Sequence, residues 1–383
     1  MKIIRVEAIP FRLPVRRQFR WAGMKAQLGG FVLVRIHTDD GLVGLGEATP
    51  LPDWGGDHGR HSGETQRTVK SVVEDVLAPA LEGMDPREIA RCHDAMAGVL
   101  RGNNYARAAV DIALHDLWGK SLGVPLFALL GGQYRQGVPI AHMIGIMPTD
   151  EALAEGVAAI ADGIRTLQIK GGEDAERDIG LIHALRDRLG PDVVLRLDAN
   201  QGYNTAKKAL AVLQRLEGAL DYIEQPVPGH GQMAMVTARS RTQVIADESC
   251  WDPTEALAVV QDHVADAISI YLAKAGGIYP ARQVAAIAEA QSLACDVNGS
   301  IESGIGNAAN LHFALATRAV TIPAVIPLSA PAGRGANSVG GVYYEDDIIT
   351  APFHIEGDAL QPLTGPGLGV ELDEAKLESF RED

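Results

Sequence analysis

Val193-Val194-Leu195-Arg196-Leu197-Asp198-Ala199-Asn200 is a short, largely apolar run that stops abruptly in polar residues. Two more runs of the same kind follow. Leu220-Asp221-Tyr222-Ile223 leads into Glu224-Gln225-Pro226, and Gln243-Val244-Ile245-Ala246 leads into Asp247-Glu248. An acid closes each run, and the gaps from Asp198 to Glu224 to Asp247 are 26 and 23 residues. That is about the length of one strand, one helix and two loops. Carboxylates at the C-terminal ends of three successive parallel strands would converge at one mouth of a (β/α) barrel, where such barrels keep their active sites. Three hard oxygen donors at one point suit Mg²⁺, or Mn²⁺.

The same period brings in two lysines. Thr166-Leu167-Gln168-Ile169 ends in Lys170, 28 residues before Asp198, and Ala267–Ala273 ends in Lys274, 27 residues after Asp247. The order on five successive strands is therefore Lys, Asp, Glu, Asp, Lys. In a closed barrel the two lysines would face each other across the metal. A lysine near a divalent cation and another lysine can have its pKa lowered, so that it serves as a base. The metal would stabilise an enolate while one lysine removes the proton α to a carboxylate.

A chain of 383 residues, 46% of them hydrophobic, can build one large domain and a smaller one. The formal net charge of −15 argues against a nucleic-acid partner and against an anionic membrane surface. It leaves an anionic small molecule open, because a bound metal and lysines invert the local field. Cys92, Cys250 and Cys295 are far apart and odd in number, which suits a reducing compartment. With no signal-peptide pattern and no apolar run long enough to span a bilayer, a soluble cytoplasmic protein is the expectation.

Taken in order, residues 1 to about 50 read as antiparallel β, with strands at Lys2–Ile9, Phe31–Ile36 and Leu42–Glu47 and a hairpin at Asp39-Asp40-Gly41. Loops follow the first and third strands, and they carry Trp21 and Trp54. From Glu64 to Leu122 the periodicity is helical. Asp85-Pro86-Arg87-Glu88 reads as a helix start, and Asn104–Gly119 as a long helix. Gly131-Gly132 marks a boundary, after which strand and helix alternate. Eight strands are expected: Val138–Ile144, Thr166–Lys170, Val193–Asp198, Leu220–Gln225, Gln243–Glu248, Ala267–Lys274, Ala294–Ser300 and Ile322–Leu328. The fold class is thus α/β, a (β/α)8 TIM-type barrel with an N-terminal α+β capping domain. Residues 1–132 form the cap, 133–332 the barrel, and 333–383 a segment that packs back on the cap.

These features resemble the enolase superfamily, in its mandelate racemase and muconate-lactonizing branch. The resemblance covers nearly the whole length. It takes in the Gly44-Leu45-Gly46-Glu47 turn, the Asn104–Gly119 helix, the barrel motifs and Gly365-Pro366-Gly367-Leu368-Gly369. It implies a modified (β/α)7β barrel, Mg²⁺ held by Asp198, Glu224 and Asp247, catalytic Lys170 and Lys274, and a homo-oligomer. Lys274, in Lys-Ala-Gly-Gly, implies the muconate-lactonizing subgroup. Two positions depart from the pattern. Gln168 stands where many members have a first lysine, and the eighth run carries no acid. The Leu167-Gln168-Ile169-Lys170 stretch is similar to the proline-derivative enzymes of this subgroup, such as hydroxyproline betaine epimerase and hydroxyproline dehydratase.

Around the five central residues, Gln168, Asn200, Glu248, Asn298 and Glu302 are candidates for supporting the ligands or touching substrate. Asn200 and Glu248 can equally be loop-start polar residues, and Glu302 can cap the helix that follows it. Trp21 and Trp54 can be ordinary packing, or can close over the barrel mouth, exclude water and face a cationic nitrogen. His58 and His61 have metal-like spacing but no other ligand type beside them. The expected function is a Mg²⁺-dependent racemase or epimerase with two lysines as acid and base, acting on a small amino-acid or proline-derived carboxylate. The same machinery could instead run a muconate-type cycloisomerisation or a dehydration. A barrel that binds metal without catalysis is the remaining alternative.

Overall fold

A computed structural model describes residues 1–25, 27–329 and 338–382. The expected boundary at 332–333 lies outside the described residues. The chain opens with three antiparallel strands, β1 (Ile3–Arg12), β2 (Gly30–Thr38) and β3 (Val43–Ala48), in the order β1-β2-β3. The expected third strand, Leu42–Glu47, is β3, so Gly44-Leu45-Gly46-Glu47 is strand and not the turn that the resemblance implies. Its glycines let the strand press onto the helix Asn104–Leu122: a Cβ on Gly46 would lie 1.9 Å from the Ala109 carbonyl oxygen. Asp85-Pro86 does not start a helix. The Asp85 carboxylate accepts the backbone N–H of Arg87 at 3.0 Å, a local turn that competes with helix, which begins only at Ile89.

Seven parallel strands then form one curled sheet: β4 (Ala141–Ile144), β5 (Thr166–Lys170), β6 (Val194–Asp198), β7 (Tyr222–Glu224), β8 (Gln243–Ala246), β9 (Ala267–Ile270) and β10 (Ala294–Val297). They are buried on both faces, as expected when helices wrap a parallel sheet. The fold is a TIM-type barrel with an N-terminal cap. The eighth run, Ile322–Leu328, is not a continuous strand of this sheet: Ala324 makes a single parallel bridge to Ile140, and Leu328 opens a two-residue strand against Val342–Tyr344. Pro323 and Pro327 supply no N–H, so the ladder is broken. Closure instead rests on a few backbone bonds. Ala324 N–H donates to Pro139 at 2.9 Å, Ala141 N–H to Ala324 at 2.8 Å, and Val325 N–H to Val297 at 2.9 Å.

Lys274 is also not on a strand. β9 stops at Ile270, and Leu272–Ala275 forms a single helical turn ended by Gly276 in the left-handed region, at φ 87°. At the chain's end the helix Glu374–Phe380 and its neighbours contact the N-terminal sheet. Glu382 accepts from Arg12 at 2.8 Å and Glu374 pairs with Arg35 at 2.6 Å. Carboxylates from two other regions cap the helix Gly304–Ala316: Glu47 of β3 accepts from Ser303 N–H at 2.8 Å, and Asp347 from Gly304 N–H at 3.0 Å. Among the described residues no helix is long and apolar enough to cross a membrane.

Candidate active site

The strand register sets three acids side by side. Lys170 pairs with Asp198, Asp198 with Glu224, and Glu224 with Ile245, two residues before Asp247. Asp198, Glu224 and Asp247 are fully buried, and each offers a carboxylate oxygen within 4.8 Å of the others. Three anions this close in a dry pocket are untenable without counter-charge. The counter-charge comes from three cations. Lys170 Nζ lies 2.6 Å from Asp198, Lys274 Nζ 2.8 Å from Asp247, and Arg196 Nη2 2.6 Å from Glu224. Arg196 also pairs with Asp296.

The electrostatics follow from this pairing. The Asp198 carboxyl is pushed up to about 7, by burial first and Glu224 second, with Lys170 opposing. Burial also raises Asp247, against Lys274. Burial works to raise Glu224, but Arg196 and Lys170 outweigh it and hold the carboxyl below its ordinary range. Lys170 keeps its proton above the usual range: burial disfavours the charge, and Asp198 more than compensates. Glu248 is pushed well up by burial and by the Asp247 charge.

The donor set fits a hard divalent cation. Glu224 Oε2 accepts from Gln168 Nε2 at 2.7 Å and Arg196 Nε at 2.8 Å, while Oε1 has the 3.5 Å contact from Asn298. Oε1 is therefore the oxygen that Glu224 can turn to a metal. Asn200 holds both neighbours: its N–H donates to Asp198 at 3.0 Å and its Nδ2 to Glu248 at 3.2 Å.

A pocket lies over the acids, walled by Trp21, Trp54, Met143, Lys170, Tyr271 and Ile301 among others. Lys170 Nζ sits 5.7 Å from the centre of the Trp21 ring. Trp54 stacks on Tyr271 at 5.3 Å, and the Tyr271 hydroxyl donates to Asp247 at 3.0 Å. The Trp54 loop is fastened to the barrel beside the acids. Asp57 accepts from Gly229 N–H at 2.7 Å, and His61 lies flat on Trp251 at 4.2 Å. His61 thus packs against an aromatic ring, and His58 is exposed.

Lys274 differs from Lys170. Its ammonium is enclosed and donates to Asp247 Oδ1, the Asp247 carbonyl and the Ser269 carbonyl, each at 2.8 Å. Glu302 does not cap the next helix. It accepts from Ser300 N–H at 2.9 Å, and burial pushes its carboxyl up to about 7. Sequence reasoning missed Arg196, Asp296 and Tyr271. Arg196 had a usable signal: it stands two residues before Asp198 on one strand, hence on the same inward face.

Comparison with known proteins places this geometry in context. Residues 4–131 match the family model for the mandelate racemase/muconate lactonizing enzyme N-terminal domain, and residues 151–376 match that for the enolase C-terminal domain-like fold. The chain is 31% identical over 383 residues to N-succinyl-L-Arg/Lys racemase of Bacillus cereus, covering 99% of this chain and 98% of the relative. It is 36% identical over 377 residues to L-Ala-D/L-Glu epimerase of Bacillus subtilis, covering 97% of each. Muconate cycloisomerase 1 of Rhodococcus opacus is 31% identical over 384 residues, covering 97% and 96%. The crystal structure of the Bacillus cereus racemase superposes with a TM-score of 0.90 at 29% identity, covering 100% of this chain and 99% of that one.

Proposed function

The chain belongs to the mandelate racemase/muconate lactonizing enzyme family of the enolase superfamily, whose relatives here are isomerases, and on that premise we propose that it is a two-base racemase or epimerase of a small amino-acid-derived or proline-derived carboxylate. One observation carries the reading. Three buried carboxylates converge within 4.8 Å, each bearing its own cation, and two of those cations are lysines on different carboxylates. A structural ion cluster would have no need of two lysines on opposite carboxylates, one of them, Lys170, on the wall of a cavity.

In this reading Asp198, Glu224 and Asp247 hold Mg²⁺. When bound, the ion would supply charge neutralisation at the substrate carboxylate and take up the carboxylate charge that otherwise holds Lys170 above its usual range. Lys170 at the cavity wall removes or returns the α-proton on one face. Lys274, released from one of its three acceptors, serves the other face. Gln168 and Arg196 fix Glu224, and Tyr271 and Lys274 fix Asp247, so the ligands meet substrate already oriented. Trp21 and Trp54 keep bulk water from the exchanging proton.

The relatives' names include N-succinyl-L-Arg/Lys, L-Ala-D/L-Glu and muconate, all of them carboxylic acids. The test is proton NMR in D₂O with Mg²⁺ on pooled N-acyl amino acids, hydroxyproline derivatives, proline betaines and muconates. Loss of an α-proton signal with growth of a second stereoisomer, abolished by EDTA, is the expected result. A lactone or an unsaturated acid would instead assign cycloisomerisation or elimination. Silence across the pool would refute the catalytic reading.

A further inference from the structure

Each lysine of the site stands just before a glycine pair, in Lys170-Gly171-Gly172 and in Lys274-Ala275-Gly276-Gly277. In both places the glycines make room for an aspartate from a helix. A Cβ on Gly171 would lie 2.7 Å from Asp178 Oδ2, and one on Gly277 would lie 2.4 Å from Asp111 Cγ. Asp178 belongs to the helix Ala175–Leu189 and Asp111 to the helix Asn104–Leu122, and both are fully buried.

Each aspartate takes an N–H of the turn that follows its lysine. Asp178 accepts from Gly172 at 2.8 Å, and Asp111 from Ile278 at 2.5 Å. The acids are themselves fixed, Asp178 by the Tyr203 hydroxyl at 2.9 Å and Asp111 by His93 at 2.6 Å. The same two helices also hold the carbonyl of each lysine. Arg177 Nη1 donates to the Lys170 carbonyl at 2.9 Å, and Asn104 Nδ2 to the Lys274 carbonyl at 2.7 Å. The main chain at each lysine is thus pinned twice from one neighbouring helix, at its carbonyl and in the turn behind it.

An aspartate on the Ile278 N–H also serves the start of the helix Ile278–Ala290. Capping, however, does not call for a second bond to the lysine carbonyl, nor for the same pair of contacts at both lysines from unrelated helices. Positioning does. The lysine amine ends a flexible four-carbon stem, so it inherits any shift of its backbone. A misplacement of about 1 Å can cost roughly 10²-fold in rate. The two clamps also differ in origin. Arg177 and Asp178 lie in the barrel, whereas Asn104 and Asp111 lie on the long helix of the N-terminal domain.

We propose that Arg177 with Asp178 and Asn104 with Asp111 are positioning residues, the first pair for Lys170 and the second for Lys274, so that the barrel sets one face of proton transfer and the cap sets the other. The catalytic meaning of the clamps rests on the reading above that the two lysines serve opposite faces.

The first readout needs no substrate. Mg²⁺-loaded protein is labelled with trace acetic anhydride, and the peptides carrying Lys170 and Lys274 are quantified by mass spectrometry. Asn104→Ala is expected to raise labelling of Lys274 about fivefold, the weight of one hydrogen bond, and to leave Lys170 unchanged. Arg177→Met should do the reverse. Asn104→Gln and Arg177→Lys, which keep a donor, should restore the parent pattern. The second readout is α-proton exchange in D₂O with whichever acid of the pool above reacts. Asn104→Ala should slow exchange from one isomer on the order of 10-fold or more, in kcat with KM little changed, and Arg177→Met should slow the other isomer. Equal changes at both lysines or for both isomers would show general loosening and overturn the proposal, and so would no change in either variant. If an acid exchanges but labelling does not shift selectively, the clamps are refuted and the two-base reading stands. If labelling shifts selectively but no acid exchanges, the two-base reading has failed and the positioning role falls with it.

Discussion

Arg196→Met is the most informative single change. The Arg196 side chain is only 1% exposed and serves two buried carboxylates, Glu224 at 2.6 Å and Asp296 on its other arm. Methionine fills similar volume but leaves both acids without their cation. Removing one partner of a buried ion pair costs about 3–5 kcal/mol. Here one arginine covers two acids, which pushes towards the upper end. Protonation of an orphaned acid relieves part of the loss. Asp296 is already pushed up to about 6, by burial first, with Arg196 holding it down. Without Arg196 it rises further and takes a proton near neutral pH. The loss should therefore be larger at pH 8 than at pH 6. The assay is urea unfolding of EDTA-treated protein, followed by far-UV circular dichroism, so that metal binding does not contribute. Arg196→Met/Asp296→Asn, with one fewer orphaned charge, should recover about 1 kcal/mol or more. A single variant within about 1 kcal/mol of the parent at pH 8, or a double variant no better than the single, would refute the assignment of Arg196 as the cation beneath the acid cluster.

Two further outcomes follow from the same geometry. Lys170→Ala and Lys274→Ala should each lower turnover on the order of 10³-fold while the fold and Mn²⁺ affinity persist. Deuterium exchange should survive only for the isomer whose α-proton faces the remaining lysine, and full activity in either variant would remove the two-base mechanism. Glu302→Gln should change how stability depends on pH. The Glu302 carboxyl is pushed by burial up to about 7 in the fold, against an ordinary value of 4.5. Between those values the folded protein holds a proton that the unfolded chain has released. Its contribution is complete below 4.5 and is lost as pH rises through 7. The stability of Glu302→Gln relative to the parent should rise from pH 5 to pH 8 by on the order of 3 kcal/mol, and an unchanged difference would rule out a titrating Glu302.

The barrel was legible because acids and lysines recur at the βα period, and that period alone fixes which strand ends are neighbours. The cap's hairpin was legible from Asp39-Asp40-Gly41 for the same local reason. Other features escaped because they are decided by tertiary context. The eighth run looks apolar enough for a strand, yet Pro323 and Pro327 leave too few donors for a ladder. Lys274 sits where a strand seemed to continue, but the chain turns helical after Tyr271 and is stopped by Gly276. The third strand was legible as the run Leu42–Glu47, but the use of Gly44 and Gly46 was not: their missing side chains let β3 lie against a helix. Arg196 was hidden by habit: a lone arginine in an apolar run reads as a surface residue, and only a closed barrel makes its face an interior one.

The charges around the acid cluster fit together. Asp198, Glu224, Asp247 and Asp296 bring four negative charges into the barrel mouth, and Lys170, Lys274 and Arg196 bring three positive ones. Burial and the neighbouring Asp247 push the Glu248 carboxyl well up. With one lysine deprotonated to act as base, a divalent cation would bring these seven groups to neutrality. A lysine in place of Gln168 would break that balance, which gives a physical reason for a neutral amide at this position. Because Gln168 and Arg196 act on Glu224 and not on any one substrate group, changes at either should alter every carboxylate substrate alike.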